Sequence, residues 1–147
     1  MKNPAKIVGI AIIAFIVIFS CNRIVSKTLE VDLNKSIVDT MNAKNEVRNT
    51  IKTLSTSLPR TIDERTTISK VEYIEDENKV VFNYSLIGVE KEEVKSKITS
   101  LKTKQLIFIK ENGDNQVFIK ARVVFEYKYF DENANLLGEY QILPNEY

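Results

Sequence analysis

The sequence contains no histidine, no tryptophan and a single cysteine, Cys21. Histidine is the commonest general base at neutral pH and the commonest metal ligand, so its absence removes the usual starting point for both kinds of site. A lone cysteine cannot close an internal disulfide. The glycines form no loop that could hold a phosphate, because they are scattered at Gly9, Gly88, Gly113 and Gly138. We therefore predict no metal site, no cofactor and no catalytic residue.

Acidic and basic residues nearly balance, at 20 and 21, for a net charge of +1. This net charge falls to −1 when Lys2 and Lys6 of the N-terminal segment are set aside. Proteins that bind nucleic acid normally carry a basic excess, so a nucleic-acid partner is excluded. The hydrophobic fraction of 44% is ordinary for a folded domain, and about 125 residues suffice for one core.

The N-terminal segment has the pattern of a membrane-targeting sequence. Lys2 and Lys6 make its beginning positive, and residues 7–19 are an unbroken run of apolar or small residues. A charged start followed by an apolar run of about 7 to 15 residues is typical of a secretory signal. A membrane-spanning helix needs about 20 apolar residues, and this run ends sooner.

The end of this run resembles a bacterial lipobox, in which a small residue precedes the cysteine that receives lipid. Residues 18–21 read Ile-Phe-Ser-Cys, so residues 1–21 are predicted to be a signal peptide and Cys21 to be the lipidation site. The alternative is an uncleaved signal anchor over residues 7–25. In both cases the positive residues keep the N-terminus in the cytoplasm. Residues 22–147 are therefore predicted to be a single extracytoplasmic domain that is held at the membrane.

Two stretches have the apolar spacing of amphipathic helices. Pro59 ends the first predicted helix, residues 25–58, whose apolar stripe consists of Leu29, Leu33, Ile37, Met41, Val47, Ile51, Leu54 and Leu58. Residues 90–105 carry a second stripe, formed by Val94, Ile98 and Leu101. Residues 106–110 have the composition of a strand but continue the helical spacing, so the pattern alone leaves them open.

Two pairs of stretches show the alternation of β-hairpins. Residues 66–74 and 79–87 form the first predicted hairpin, and residues 121–130 and 136–143 form the second. We predict an α+β fold in which the long N-terminal helix packs on an antiparallel sheet of two β-hairpins separated by a helical segment.

One face of residues 121–130 is apolar, and its aromatic residues form a row. Phe125, Tyr127 and Tyr129 lie on this face at the period of a strand, and Phe82 and Tyr84 supply a similar face in the first hairpin. We predict that this row is the inner face of the sheet, covered by helix. The alternative is an exposed binding face.

Short sequence matches accompany this order of elements at Leu58 and Pro59, at Ile62, Asp63 and Thr66, at residues 83–86 (Asn-Tyr-Ser-Leu), and at residues 127–131 (Tyr-Lys-Tyr-Phe-Asp). With them the chain resembles a widespread group of small uncharacterised bacterial envelope proteins that are anchored like lipoproteins. Many members carry two cysteines, whose positions are occupied here by Lys110 and Tyr147. The resemblance implies a helix–hairpin–helix–hairpin domain in the envelope and favours a helix for residues 106–109.

The candidate catalytic groups are pairs of carboxylates and pairs of serine with lysine. Residues 63–64 (Asp-Glu) and 75–77 (Glu-Asp-Glu) fall in predicted turns, which indicates solvated side chains rather than an acid–base pair. Residues 131–135 offer oxygen ligands but lack the glycine and the distal glutamate of a calcium loop. Residues 69–70 and 96–97 are both Ser-Lys, and adjacent side chains point in different directions.

The leading functional hypothesis is a non-enzymatic, membrane-anchored envelope protein that binds another protein. Secretion accessories and immunity or exclusion-type lipoproteins have this size and this kind of anchor. The alternative is a protein that binds a small apolar ligand, such as a lipid, between helix and sheet. A cavity under the helix would favour the ligand, and an exposed apolar patch would favour a protein partner.

The lipidation of Cys21 can be tested directly. Metabolic labelling with a fatty-acid probe should mark the wild-type protein and leave Cys21→Ser unmarked, because the thiol is the group that accepts the lipid. Equal labelling of the two proteins would contradict the lipobox and leave the signal anchor.

Overall fold

The computed structural model describes residues 33–147, with side chains from residue 38 onward. The predicted signal peptide or signal anchor, the lipidation site Cys21 and the predicted start of the first helix at residue 25 lie outside the described residues. Each predicted hairpin, and each predicted helix from residue 33 onward, has a counterpart in the structure.

The described chain alternates between helices and groups of strands, as the sequence predicts for an α+β fold. The helices are α1 (Leu33–Ser55), α2 (Lys91–Glu111) and the short α3 (Gln116–Lys120), which follows one 3-10 turn at Gly113–Asn115. The strands are β1 (Arg60–Asp63), β2 (Thr66–Ile74), β3 (Lys79–Leu86), β4 (Val124–Phe130) and β5 (Leu136–Ile142).

Among the side chains described from residue 38 onward, helix α1 packs through its predicted apolar stripe from Ala43 onward. Val47, Ile51 and Leu54 are buried in the core. Met41 was predicted to belong to the same stripe, and this prediction is wrong because Met41 is 61% exposed. Ala43 takes its place, since it lies four residues before Val47 and therefore on the same side of the helix.

Helix α2 extends through residues 106–110, which the sequence pattern left open. Leu101 and Ile109 are both buried on its inner side, so the helical spacing prevails over the strand-like composition. Glu92 and Glu93 lie in its first turn and Lys110 in its last, an arrangement that suits the helix dipole. The helix favoured by the family resemblance for residues 106–109 is confirmed.

The five strands of residues 33–147 form one sheet in the order β1-β2-β3-β4-β5. Both predicted hairpins are present as antiparallel pairs, β2 with β3 and β4 with β5. The two hairpins join through a parallel pairing of β3 with β4. The sequence pattern predicts neither this parallel junction nor β1, which has only four residues and is too short to show alternation.

The turn between β2 and β3 is tied to the start of β4 by Asn78. Its side-chain amide donates hydrogen bonds to the carbonyl oxygens of Ala121 (2.8 Å) and Arg122 (3.0 Å). Its carbonyl oxygen accepts one from the Tyr73 hydroxyl at 2.7 Å. Strand β4 begins at Val124 rather than at the predicted residue 121, because the preceding residues complete α3 and the turn that Asn78 holds.

The long helices both lie against one face of the sheet, and the core lies between them and this face. Helix α1 packs on β2 and α3, and α2 packs on β5. A Cβ atom at Gly138 would lie 2.9 Å from Val94 and 3.0 Å from Ile98, so glycine is what allows α2 to approach β5 this closely. The predicted inner face is confirmed by the burial of Val123, Phe125, Tyr127 and Tyr129.

The last residues of the chain are fastened to α2 and β4. Lys102 forms an ion pair with Glu146 at 2.8 Å. The Tyr147 hydroxyl donates a hydrogen bond to the Val123 carbonyl at 2.6 Å, and its ring packs edge-on against Phe125 with centroids 5.8 Å apart. These contacts hold a segment that, in the resembling group, ends in a cysteine.

Two phenylalanines on β4 allow the inner face to be tested. Phe125 is 2% exposed on the covered face, whereas Phe130 is half-buried on the other. Phe125→Ala should lower the free energy of unfolding by roughly 3 to 5 kcal/mol, and Phe130→Ala by about 1 kcal/mol. Denaturant melts measure both. Equal losses would mean that the core lies elsewhere.

Candidate binding groove

The inner faces of β3 and β4 are largely buried, although neither long helix runs directly over these two strands. Helix α1 lies over β2 and α2 lies over β5, so the inner faces of β3 and β4 form the floor of an open groove between the helices. We call this space the groove, and its lining residues are Thr50, Leu54, Ile68, Phe82, Tyr84, Gln105, Phe108, Ile109, Asn112, Asp114, Asn115, Phe118, Phe125 and Tyr127.

Stacked aromatic rings make up the floor. Phe82 and Tyr127 are nearly parallel, with ring centroids 5.2 Å apart and planes 9° apart. Tyr84 stacks on Tyr129 with centroids at 5.2 Å, and Tyr127 stacks on Tyr140 at 5.0 Å. Offset stacks of this kind add stability beyond the burial of area, so the floor is a rigid aromatic surface.

Helical spacing produces the wall on the α2 side. Gln105, Phe108, Ile109 and Asn112 follow one another at steps of three, one and three residues, which places them on one side of the helix. Thr50 and Leu54 stand one turn apart on the opposite wall, in α1. Leu54 belongs to the apolar stripe predicted for the first helix, whereas Thr50, Phe108 and Asn112 were not predicted as site residues. The spacing of 105, 108, 109 and 112 is the signal that could have identified them.

Asparagines shape the lower end of the groove, where α2 stops. The Asn112 side chain accepts a hydrogen bond from the Asp114 backbone N–H at 2.9 Å. The Asn115 amide donates one to the Phe108 carbonyl at 3.2 Å and so satisfies a carbonyl of the last turn of α2. The polar end of the groove is therefore a defined structure and not a loose loop.

The cavity in the groove has a volume of about 110 Å³. Sites for small molecules usually measure about 300 to 1,000 Å³. An engineered protein cavity of about 150 Å³ holds benzene. The cavity is therefore too small to enclose a lipid chain, and its size is closer to that of one apolar side chain.

The aromatic row predicted from the sequence is core that also forms the groove. Phe125, Tyr127, Tyr129 and Tyr84 are buried, so the interpretation as an inner face is confirmed. Phe82 is only partly buried, and together with Phe108 it leaves aromatic surface open in the groove. The binding face stays a prediction, which concerns the partly buried Phe82 and not the buried residues of the row.

The carboxylates of the predicted acidic turns make structural hydrogen bonds and ion pairs, and they do not come together in one site. Asp63 accepts a hydrogen bond from the backbone N–H of Arg65 at 2.8 Å. Glu75 forms a two-pronged ion pair with Arg48 of α1, with both distances 2.5 Å. This hydrogen-bonded guanidinium lowers the pKa of Glu75 below its usual range, and the pair fastens α1 to the β2–β3 turn.

The third acidic turn is closed by its own residues. Asp131 accepts hydrogen bonds from the backbone N–H groups of Asn133 and Asn135, both at 2.8 Å. Bonds from Asn135 also lower the pKa of Asp131. Residues 33–147 contain no group of three or more acidic, histidine or cysteine side chains placed to hold a metal ion.

Neither serine of the Ser-Lys pairs contacts its lysine. Ser69 donates to the Asn83 carbonyl at 3.1 Å, and Ser96 donates to the Glu93 carbonyl at 2.8 Å. Lys70 pairs with Glu72 at 2.6 Å, and Lys97 pairs with Glu93 at 2.9 Å. These pairs are surface structure.

A buried carboxylate, Glu126, lies on the face of the sheet opposite the helices. It accepts a hydrogen bond from Gln141 at 2.6 Å, and the amines of Lys79 and Lys128 each lie 3.4 Å away. Burial alone would raise the pKa of Glu126, but the Gln141 hydrogen bond and the two lysine charges lower it below its usual value. All its neighbours are strand residues, so the cluster stabilises the sheet.

No helix within residues 33–147 is both long enough and apolar enough to cross a bilayer. The predicted membrane segment precedes these residues in the chain.

The fold occurs in solved structures of bacterial proteins, although no protein-family model and no curated protein sequence matches the chain. A Pseudomonas aeruginosa protein described as secreted superposes with a TM-score of 0.62 at 12% identity, covering 74% of this chain and 96% of the other. The pilotin EpsS of the Vibrio vulnificus type II secretion system superposes with a TM-score of 0.55 at 10% identity, covering 74% and 94%. The Vibrio cholerae type II pilotin AspS gives 0.54 at 12%, covering 76% and 97%. At such identities the likeness concerns the fold.

The tyrosines of the groove and its surroundings predict how the protein responds to alkali. Burial raises the pKa of Tyr129 and of Tyr147 to about 12, and the pKa values of the other tyrosines, at 73, 84, 127 and 140, are also raised, chiefly by burial. The unfolded chain loses these protons near pH 10. Stability should therefore be full below about pH 10 and fall as the pH rises above it.

A titration followed by tyrosinate absorbance and circular dichroism checks this. We expect the tyrosinate signal to rise in one steep step that coincides with the loss of structure. The same chain in denaturant should titrate gradually near pH 10. A gradual titration of the folded protein near pH 10, with its circular dichroism unchanged, would show that the rings are exposed.

Proposed function

We propose that the chain is a non-enzymatic secretion accessory protein of the bacterial envelope, and that it binds another envelope protein in the groove between α1 and α2. The observation that carries the proposal is the groove itself. It offers a rigid aromatic floor, partly exposed rings at Phe82 and Phe108, and a cavity of about 110 Å³. Aromatic pockets that take one apolar side chain are typical centres of protein interfaces.

The size and shape of the groove favour a peptide segment over a lipid. A groove that lies between two helices and opens to solvent suits an amphipathic helix, which inserts side chains from one face. Thr50 and Gln105, on opposite walls, make no side-chain hydrogen bond within the described residues and are therefore available to polar groups of a partner. A lipid chain would need a longer and more apolar cavity.

The residues that line the groove do not include a set of catalytic groups. Its one carboxylate, Asp114, is exposed, and the pKa values of its tyrosines Tyr84 and Tyr127 are raised by burial. Neither tyrosine therefore ionises near neutral pH. Its one aliphatic hydroxyl, on Thr50, has no general base beside it among the lining residues.

The likeness to two type II secretion pilotins supports the placement among secretion accessories, and the third structure, described as secreted, supports an extracytoplasmic location. The proposal includes attachment to the membrane through the N-terminal segment, by lipidated Cys21 or by an uncleaved signal anchor.

Site-specific photo-cross-linking in living cells tests the partner. A photoreactive residue at Gln105 faces the groove, whereas one at Ser100 lies on the exposed side of the same helix. We expect Gln105 to give one discrete adduct with an envelope protein, and Ser100 to give none. Adducts that consist of lipid would favour the apolar-ligand function. The same adduct from both positions, or none from Gln105, would contradict the groove as the binding site.

A further inference from the structure

Among the residues that line the groove, one carries a charge at neutral pH. This residue is Asp114, in the 3-10 turn that follows α2. No lysine or arginine among the side chains described from residue 38 onward lies within ion-pair distance of its carboxylate, whereas the carboxylates of Glu75 and Glu146 are paired. An unpaired carboxylate beside an aromatic floor leaves a negative charge at one end of a groove whose other lining residues are uncharged.

The position of Asp114 is fixed. Its backbone N–H is bound by the Asn112 side chain at 2.9 Å, and the turn leads directly into α3, whose Phe118 is buried in the core. The C-terminal end of α2 adds a partial negative charge at the same place. Lys110 lies two residues from both Phe108 and Asn112 in α2, and so on the opposite side of the helix from the groove.

The wall of α2 sets the spacing between the apolar site and the charge. Asn112, the C-cap of α2, follows Phe108 by four residues, or about 6 Å along the helix axis, and Asp114 lies beyond Asn112. A partner helix that lies along α2 and inserts an apolar side chain beside Phe108 would present its next turn to Asp114. The residue of the partner helix that faces Asp114 would therefore lie three or four positions from the residue inserted beside Phe108.

We infer that Asp114 selects the partner, and that the groove takes an amphipathic helix with one bulky apolar side chain and a lysine or arginine three or four residues away. The inference rests on the proposed function and adds the chemistry of the partner segment. The apolar side chain fills the cavity and the cation pairs with Asp114. A helix with an acidic residue at that place is disfavoured by like charge.

The absence of tryptophan from the chain makes the test simple, because the fluorescence of a tryptophan in a probe peptide reports only on the peptide. Three synthetic amphipathic helical peptides each carry one tryptophan as the apolar side chain. The residue four positions after the tryptophan is lysine in the first peptide, glutamine in the second and glutamate in the third. The full chain in vesicles of zwitterionic lipid is titrated with each, and vesicles without the chain serve as the blank. We expect the lysine peptide to bind about fivefold more tightly than the glutamate peptide.

Variants of two neighbouring carboxylates, Asp114 and Glu111, distinguish the effect of Asp114 from that of the general negative charge in this region. Asp114→Asn should make the peptides bind alike, and Asp114→Lys should reverse their order. Glu111→Gln removes an exposed charge at the end of α2 that does not line the groove, and should leave the order unchanged. Equal binding of all three peptides to the wild type, or an unchanged order in Asp114→Asn, would overturn the inference.

A second pair of variants tests the groove separately from the charge. Thr50→Tyr places a bulky ring at the mouth of the groove, and Thr53→Tyr places the same ring on the exposed side of α1. Loss of binding in Thr50→Tyr alone supports the groove. Equal binding in both would overturn the proposed function together with the inference. If no peptide binds at about 1 mM, the inference is overturned. The proposed function is then decided by the cross-linking experiment alone.

Discussion

The parallel pairing of β3 with β4 is the constraint on which the rest of the structure depends. Two parallel neighbours cannot be joined by a tight turn, so the chain must cross from one end of the sheet to the other. Helices α2 and α3 make this crossing. Because α2 packs on β5 and α1 on β2, the crossing leaves the two central strands between the helices as the floor of the groove.

The same junction explains why the floor is aromatic. Tyr84 lies opposite Tyr129, and Phe82 lies opposite Tyr127, in the register of the parallel pair. These large flat rings stack on one another along the inner faces of the two strands and form the floor between the helices. The rings of Phe82 and Phe108 remain partly open to solvent, and this open aromatic surface is the part of the groove where we propose that a partner binds.

Local patterns in the sequence predict much of this fold. Alternation identifies both hairpins, and the spacing of Val47, Ile51 and Leu54 identifies the buried side of α1. The wrong prediction at Met41 has a related cause. A stripe whose residues are separated by unequal intervals can drift around the helix, and the interval from Met41 to Val47 is six residues. Residues 106–110 show that continuous helical spacing is a better guide than strand-like composition.

The groove could not be predicted in the same way, because it depends on which strands become neighbours. Nothing near β3 in the sequence specifies that β4 will lie beside it in parallel, and the pairing joins residues more than forty positions apart, such as Val81 and Glu126. The fastening of the chain end is also a matter of tertiary contact. Lys102 with Glu146, and Tyr147 with Val123, hold the segment where the resembling group has a cysteine.

The central claim is that the groove between α1 and α2 is the surface that a partner protein covers. Hydrogen exchange measured on the complex with the cross-linked envelope protein tests it most directly. The account predicts slower exchange in two stretches, residues 50–54 of α1 and residues 105–115 at the end of α2, with the edge strand β5 unchanged. Slower exchange along β5, or around Glu126 on the opposite face, with both stretches unaffected, would contradict it.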